Sequence, residues 1–209
     1  MIGSVMASFS IEHLYISPGH NFFGHHGQQS GTNPTQEVAS IECVAGRGIR
    51  GDRFFDYKED YKGQITFFAR EVFEQVCQEL GVTGGSPGLT RRNVITIGAD
   101  LNGLIGEKFS FQGIEFEGVC ECKPCYWMDE AIGRGAEEAL RGRGGLRARI
   151  LNSGLLRAAG LAEAKAPNLE KRREAAEMPC PALPQGVVSE VNDTLGVRFR
   201  PLVRAIFAK

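Results

Sequence analysis

The chain has 209 residues, 27 of them glycine and six cysteine, and a formal net charge of −1. That length allows one good-sized core, or a core of about 150 residues carrying an appendage, and argues against a second full domain. Near-neutral charge argues against a nucleic-acid binder, and the N-terminus "MIGSVMASFSIEHLYIS" lacks the basic and apolar regions of a signal peptide, so the expectation is a soluble cytoplasmic protein without membrane or nucleic-acid partners.

In chain order, "EVASIECV" (37–44) sets Ala39, Ile41 and Cys43 at period two, which predicts a half-buried strand. "TFFAREVFEQVCQELG" predicts a helix capped by Thr66, with Phe68, Val72, Val76 and Leu80 stepping by four and Gly81 closing it. "NVITIG" (93–98) repeats the strand pattern. "KFSFQGIEFEGV" (108–119) places Phe109 and Phe111 before a Gln-Gly turn and Ile114 and Phe116 after it, as a hairpin does. A second helix is predicted from Asp129 to Leu140, against the propensity of Gly133 and Gly135. "LRARIL" (146–151) alternates again. Several strands, few helices and no β-α alternation predict an α+β, mainly β fold: a β-barrel or strongly bent sheet with peripheral helices.

After Gly160 the composition turns charged and alanine-rich, then proline-punctuated, and closes on "VVSEVNDTLGVRFRPLV". This divides the chain into a domain at 1–160 and a C-terminal helix/strand appendage at 161–209, which packs on the core or on a neighbouring subunit. A homodimer is compatible with the second arrangement.

"GVCECKPCYWMDEA" (118–131) crowds Cys120, Cys122 and Cys125 beside a proline and the single tryptophan. Six cysteines this dispersed do not make a disulfide scaffold. A zinc or iron–sulfur site needs four ligands, and Cys43, Cys180, His25 and His26 offer no partner at ligand spacing. Burial as small packing residues is a second reading, and the fit one for Cys77 beside a helical core stripe. The third is a functional thiol, for which Cys125 is the best placed. It follows Pro124, precedes a predicted helix start and lies near cations, conditions that favour the nucleophilic thiolate. Cys120 and Cys122 are candidate resolving thiols or packing residues.

From Arg134 to Arg157, six arginines face two acids, a local charge of +4. "RGIRGDRF" (47–54) and "TRRNV" (90–94) repeat the pairing of arginine with turn or strand-edge backbone. Guanidinium forks suit phosphate and other planar oxygen-rich groups, so an anionic ligand is expected beside Cys125. A merely solvated arginine surface is the alternative.

The order "ISPGHNFFGHHG", "VAGRGIRGDRF", "RRNVITIGADLNGLIGEKF", "CKPCYWMDEA", "LRGRGGLRARILNSGLLRAAG" resembles the MOSC domain, named for the C-terminal domain of molybdenum-cofactor sulfurase, over about residues 10–160. The resemblance implies a β-barrel that binds the molybdenum cofactor, a pterin dithiolene with a terminal phosphate, or handles sulfur destined for it. It implies Cys125 as molybdenum ligand and catalytic residue, Arg91 and Asn93 at the pterin phosphate, and Arg53 from the "DRF" motif at the cofactor. Asp52, Arg92, Lys123 and Arg143 complete the cofactor-binding set. Where eukaryotic reductases of this family carry a lysine-serine pair, this chain has His20 and Asn21 within "SPGHN". No pyridoxal-phosphate domain or Schiff-base lysine is expected in so short a chain.

Three functions follow from the resemblance. One is a molybdenum-dependent oxidoreductase that reduces small N-hydroxylated compounds with electrons from a partner protein. The second is a sulfur carrier whose Cys125 persulfide is loaded by a separate cysteine desulfurase. The third is a non-catalytic cofactor-binding or storage module.

Overall fold

The computed structural model describes residues 5–6, 8–25 and 27–159. The predicted appendage at 161–209, with Cys180, and also His26 lie outside the described residues. Among the described residues there are eleven strands: β1 (Val5–Met6), β2 (Ser10–Ile16), β3 (Gln36–Glu37), β4 (Ser40–Val44), β5 (Gly48–Ile49), β6 (Ile65–Ala69), β7 (Val94–Ile97), β8 (Lys108–Phe111), β9 (Ile114–Glu121), β10 (Leu146–Ile150) and β11 (Gly154–Arg157). Helix α1 (Arg70–Leu80) and the short helices α2 (Trp127–Ala131) and α3 (Ala136–Ala139) accompany them, with a 3₁₀ turn at Pro87–Thr90. The class is mainly β with few helices, as the sequence predicts.

Closure into a barrel is not what these residues form. Eight strands make one mixed sheet in the order β1-β8-β9-β10-β6-β7-β2-β3, and β11-β4-β5 make a second. The end strands β1 and β3 are two residues each and do not pair with one another. Strands that short carry too few ladder bonds to close a sheet, and the three-stranded sheet covers the core instead.

Side-chain alternation builds two cores on opposite faces of the large sheet. Leu14, Phe67 and Val94 join a cluster shared with Ile41, Cys43 and Leu156 of the small sheet. Their neighbours Tyr15, Phe68 and Ile95 point the other way and pack with Phe73 and Val76 of α1, Trp127 and Met128 of α2, and Ala136 of α3.

That two-sided burial corrects the predicted start of the first helix. All five residues of β6 are buried, and it pairs in parallel with β7 through the α1 crossover. A strand covered on both faces reads as an unbroken apolar run, without the alternation that marks a half-buried one. Thr66 is therefore a strand residue rather than a cap, and α1 begins at Arg70. Its end is as predicted: Gly81 adopts φ 65° and its N–H reaches the Cys77 and Gln78 carbonyls.

The hairpin β8–β9 forms around Gln112 and Gly113, both with positive φ, with Phe109 opposite Phe116. β10 alternates buried and half-buried residues as expected. The 37–44 segment is split: β3 belongs to the large sheet and β4 to the small one, which leaves Ala39 exposed while Ile41 and Cys43 are buried. The second predicted helix is also split, because Gly133 (φ 158°) and Gly135 (φ 95°) turn the chain between α2 and α3. Asp129 accepts the Glu137 N–H at 2.7 Å across that break. No described helix is long and apolar enough to cross a membrane.

Candidate functional site

A cavity of about 390 Å³ opens where four segments meet: the loop after β2, the turn carrying Arg53, the residues after the 3₁₀ turn, and the stretch between β9 and α2. Cys125, Arg53, Arg91, Arg92 and Lys123 all line it, so five of the eight candidate residues share one wall. Arg147 lines it too, and no aspartate or glutamate does. Flat surfaces come from Phe22, Phe54 and Trp127, with Phe22 stacked on Trp127 at 4.6 Å between centroids.

The segment is held by backbone bonds on both sides of Cys125. The Cys122 N–H donates to Gly145 O at 2.7 Å, and the Met128 N–H donates to Cys125 O at 2.8 Å. Gly144 allows the approach, since a Cβ there would lie 2.5 Å from Cys122 O. Cys125 is exposed, whereas Cys122 is buried and Cys120 half-buried. Because α2 has only five residues, the positive charge near Cys125 comes from side chains and not from a long helix.

Each arginine is fixed by a different set of acceptors. Arg92 donates from Nη2 to Cys122 O, from Nη1 to Thr90 O and from Nε to Gly144 O, at 3.0, 3.0 and 3.3 Å. Arg53 donates to Asp52 Oδ2 at 3.2 Å and to Arg91 O at 3.1 Å, its guanidinium 4.9 Å from the Phe54 ring centre. Arg147 donates to the Tyr61 hydroxyl at 3.2 Å. Carbonyls and hydroxyls position these charges without neutralising them, and Asp52 is the one carboxylate paired to the set. Burial pulls Arg53 below its usual value, and burial with the adjacent Arg53 pulls Arg91 to about 10 against the opposing pull of Asp52. His20 is lowered by burial and by Arg53, which keeps it neutral at pH 7. Crowded, desolvated cations of this kind mark a site complementary to negative charge.

Two of the candidates serve inside the protein. Asn93, 5% exposed, accepts from the Thr66 N–H and hydroxyl and donates to Tyr15 O and Asp52. Asp52, 8% exposed, accepts from the Ser17 and Phe54 N–H groups, Asn93 and Arg53. Neither lines the cavity. They position Arg53 and the loop instead. Arg143 stands apart, bridged to Glu79 at 2.6 Å. Its cavity is a different one, beside Leu101 and Asn102.

Arg91 lines the cavity and also staples the loop over 17–35. It sits in the left-handed region at φ 55°, after a 3₁₀ turn capped by Ser86, whose Oγ accepts the Gly88 N–H. Its Nη1 donates to Asn33 O and Thr35 Oγ1 at 3.2 Å, and its Nη2 to Ser17 Oγ and Gly19 O, so it grips both ends of the loop. Arg91→Ala is therefore expected to cost about 2–4 kcal/mol of folding stability, as removal of several bonds to a charged group does. Limited proteolysis should cut within 17–35 sooner in the variant, read beside a urea titration. A loss below about 0.5 kcal/mol, the usual scatter of surface substitutions, would contradict the staple.

Sequence reasoning left Arg147, Phe22 and Trp127 out of the site. For Arg147 the signal is present: alternation sets it opposite the buried Leu146 and Ala148, and it pairs with Cys120 across β9–β10. Among the described residues no three His, Cys, Asp or Glu side chains gather to hold a metal ion. A metal here would depend on Cys125 together with ligands brought by a cofactor.

The fold is shared with solved structures. YuaD protein from Bacillus subtilis superposes with a TM-score of 0.58 at 19% identity, covering 72% of this chain and 91% of that one. YiiM from Geobacillus stearothermophilus does so at 0.52 and 14%, covering 72% and 71%. No curated protein matches the sequence. A family model described as MOSC domain matches residues 25–159, a span that contains the turn of Arg53, the arginines after the 3₁₀ turn and the Cys125 segment. A family match that spans well over half of the chain and takes in three of the cavity's segments shows the lineage: this protein belongs to the MOSC domain family.

Proposed function

We propose that the cavity holds the molybdenum cofactor, with Cys125 as the protein's ligand to the metal, and that the protein is an oxidoreductase reducing small N-hydroxylated compounds. The observation that carries this reading is an exposed thiol in the wall of a cavity with five cations and no acid. Its volume suits a cofactor-sized ligand. The residues fit the group: Arg53, Arg91, Arg92, Lys123 and Arg147 match its phosphate and dithiolene charge, Phe22 and Trp127 offer flat apolar faces to the pterin, and thiolate is the soft donor that such a metal takes.

When bound, the cofactor supplies two-electron oxygen-removal chemistry, with electrons from a partner protein. The chain's own residues bind and orient. Arg92 fixes the Cys122 carbonyl and, with it, the segment that presents Cys125. Asp52 and Asn93 hold Arg53 and the loop, so that the positive wall exists before any ligand arrives.

Cys125 is also the one exposed cysteine among the described residues, which favours a second reading as a persulfide carrier loaded by a cysteine desulfurase. Metal analysis and pterin extraction of protein purified from a molybdenum-replete host separate the two. About one molybdenum and one pterin per chain is the expected result, since one cysteine serves one metal. Absence of both, with a trappable persulfide on Cys125, would establish the carrier. Molybdenum and pterin without turnover of any N-hydroxylated compound would leave a storage module.

A further inference from the structure

A second cavity of about 570 Å³ lies against the first and differs from it in chemistry. The two share Asn21, Phe22 and Arg91 as walls. Phe22 is the partition: it stacks on Trp127 on one side and lies 5.9 Å from the Arg91 guanidinium. Arg91 is the one cation of the second cavity, and both of its terminal nitrogens are occupied by loop acceptors. The other polar walls include the hydroxyls of Tyr15, Ser30, Thr35 and Ser86, with Leu89 as an apolar side. Glu130 is the one carboxylate in either cavity.

Position links this cavity to the thiol. Glu130 lies on α2, whose first turn follows Cys125 directly. Tyr126 sits between them and lines the first cavity beside Cys125. The spacing of Tyr126 and Glu130 sets them on one side of the short helix.

From these features we infer that the second cavity is a substrate subsite: it holds the non-reacting part of the substrate and favours a hydrogen-bond donor or protonated amine there, through Glu130 and the hydroxyl walls, over a carboxylate. This rests on the proposal that the thiol cavity is the reaction centre. On one side of Phe22's partition Glu130 offsets the single cation Arg91, whereas the other side has five cations and no acid, so a protonated amine and an anionic cofactor are drawn to different cavities.

The test uses the full chain as purified and two readouts. First, binding of benzylammonium followed by NMR titration should weaken about fivefold in Glu130→Gln, the upper range for an exposed ion pair. Leu89→Trp, which fills the cavity from an exposed position, should weaken benzylammonium and benzyl alcohol alike. Second, among arylhydroxylamines with an aminomethyl or a carboxylate substituent, the cofactor-loaded protein should show kcat/KM about fivefold higher for the aminomethyl compound, and Glu130→Gln should erase that preference. Benzylammonium binding indifferent to both substitutions would overturn the subsite. Binding that depends on Glu130 without turnover of either arylhydroxylamine would uphold the subsite and overturn the reductase reading.

Discussion

Under the proposed reductase reading, Cys125→Ser is expected to lose at least about tenfold in molybdenum retained per chain, because a hydroxyl is a hard, protonated donor where that reading calls for a soft thiolate. Under the carrier reading the same substitution removes all trappable persulfide. Cys43→Ser and Cys77→Ser should leave both quantities near the parent value. Cys43 is fully buried in β4, where burial pushes its thiol up to about 12, and burial also raises Cys77 beside the α1 core stripe. Thiols held protonated in this way neither ligate nor attack. Metal analysis of the three variants, with alkylation rates mapped by mass spectrometry, checks the ranking. Cys77 modified before Cys125, or molybdenum retained in full by Cys125→Ser, would sink the assignment of the ligand.

Asp52→Ala should destabilise the protein by about 3–5 kcal/mol, the cost of removing one partner of a buried charge pair. Its carboxylate takes hydrogen bonds from Ser17 N, Phe54 N, Asn93 Nδ2 and Arg53 Nη1, and Asp52 and Arg53 are 4% and 12% exposed at their side chains. Truncation leaves Arg53 buried without a carboxylate and orphans two backbone donors. Asp52→Asn keeps an acceptor but not the charge, so an intermediate loss is expected. Urea midpoints at constant m-value give the comparison. A loss under about 1 kcal/mol, the range of exposed pairs, would mean that Arg53 finds other compensation, and the hub would have to be sought at Asn93.

Much of the architecture was legible because it rests on local periodicity. The β8–β9 hairpin announces itself by aromatic alternation around Gln112–Gly113, β10 by its alternating arginines, and the end of α1 by Gly81. Cys125 and the arginine runs pointed to an anionic ligand through residue chemistry and family resemblance. Where the reading failed, the local pattern was ambiguous on physical grounds. β6 is covered on both faces, so its run of apolar residues merged with the helix after it, and Phe68 fell by coincidence on the helical stripe.

The tertiary structure alone decided which charged residues face the cavity and which hold it open. Arg91 and Arg143 look alike in the sequence, both arginines beside turn residues. One finds acceptors at Ser17, Gly19, Asn33 and Thr35, and the other finds Glu79. Those partners lie tens of residues away, and a guanidinium has no local preference that would reveal them. Asn93 and Asp52 are polar residues within the family's motifs, yet burial forces every one of their hydrogen bonds inward, and burial is a property of packed layers rather than of neighbours in the chain. By itself the sequence determined the hairpin, the end of α1 at Gly81 and the family. The expectation that the Arg53, Arg91 and Cys125 segments share one ligand is met by the cavity they line together, whereas the partition by Phe22 came only when the two faces of one sheet were covered.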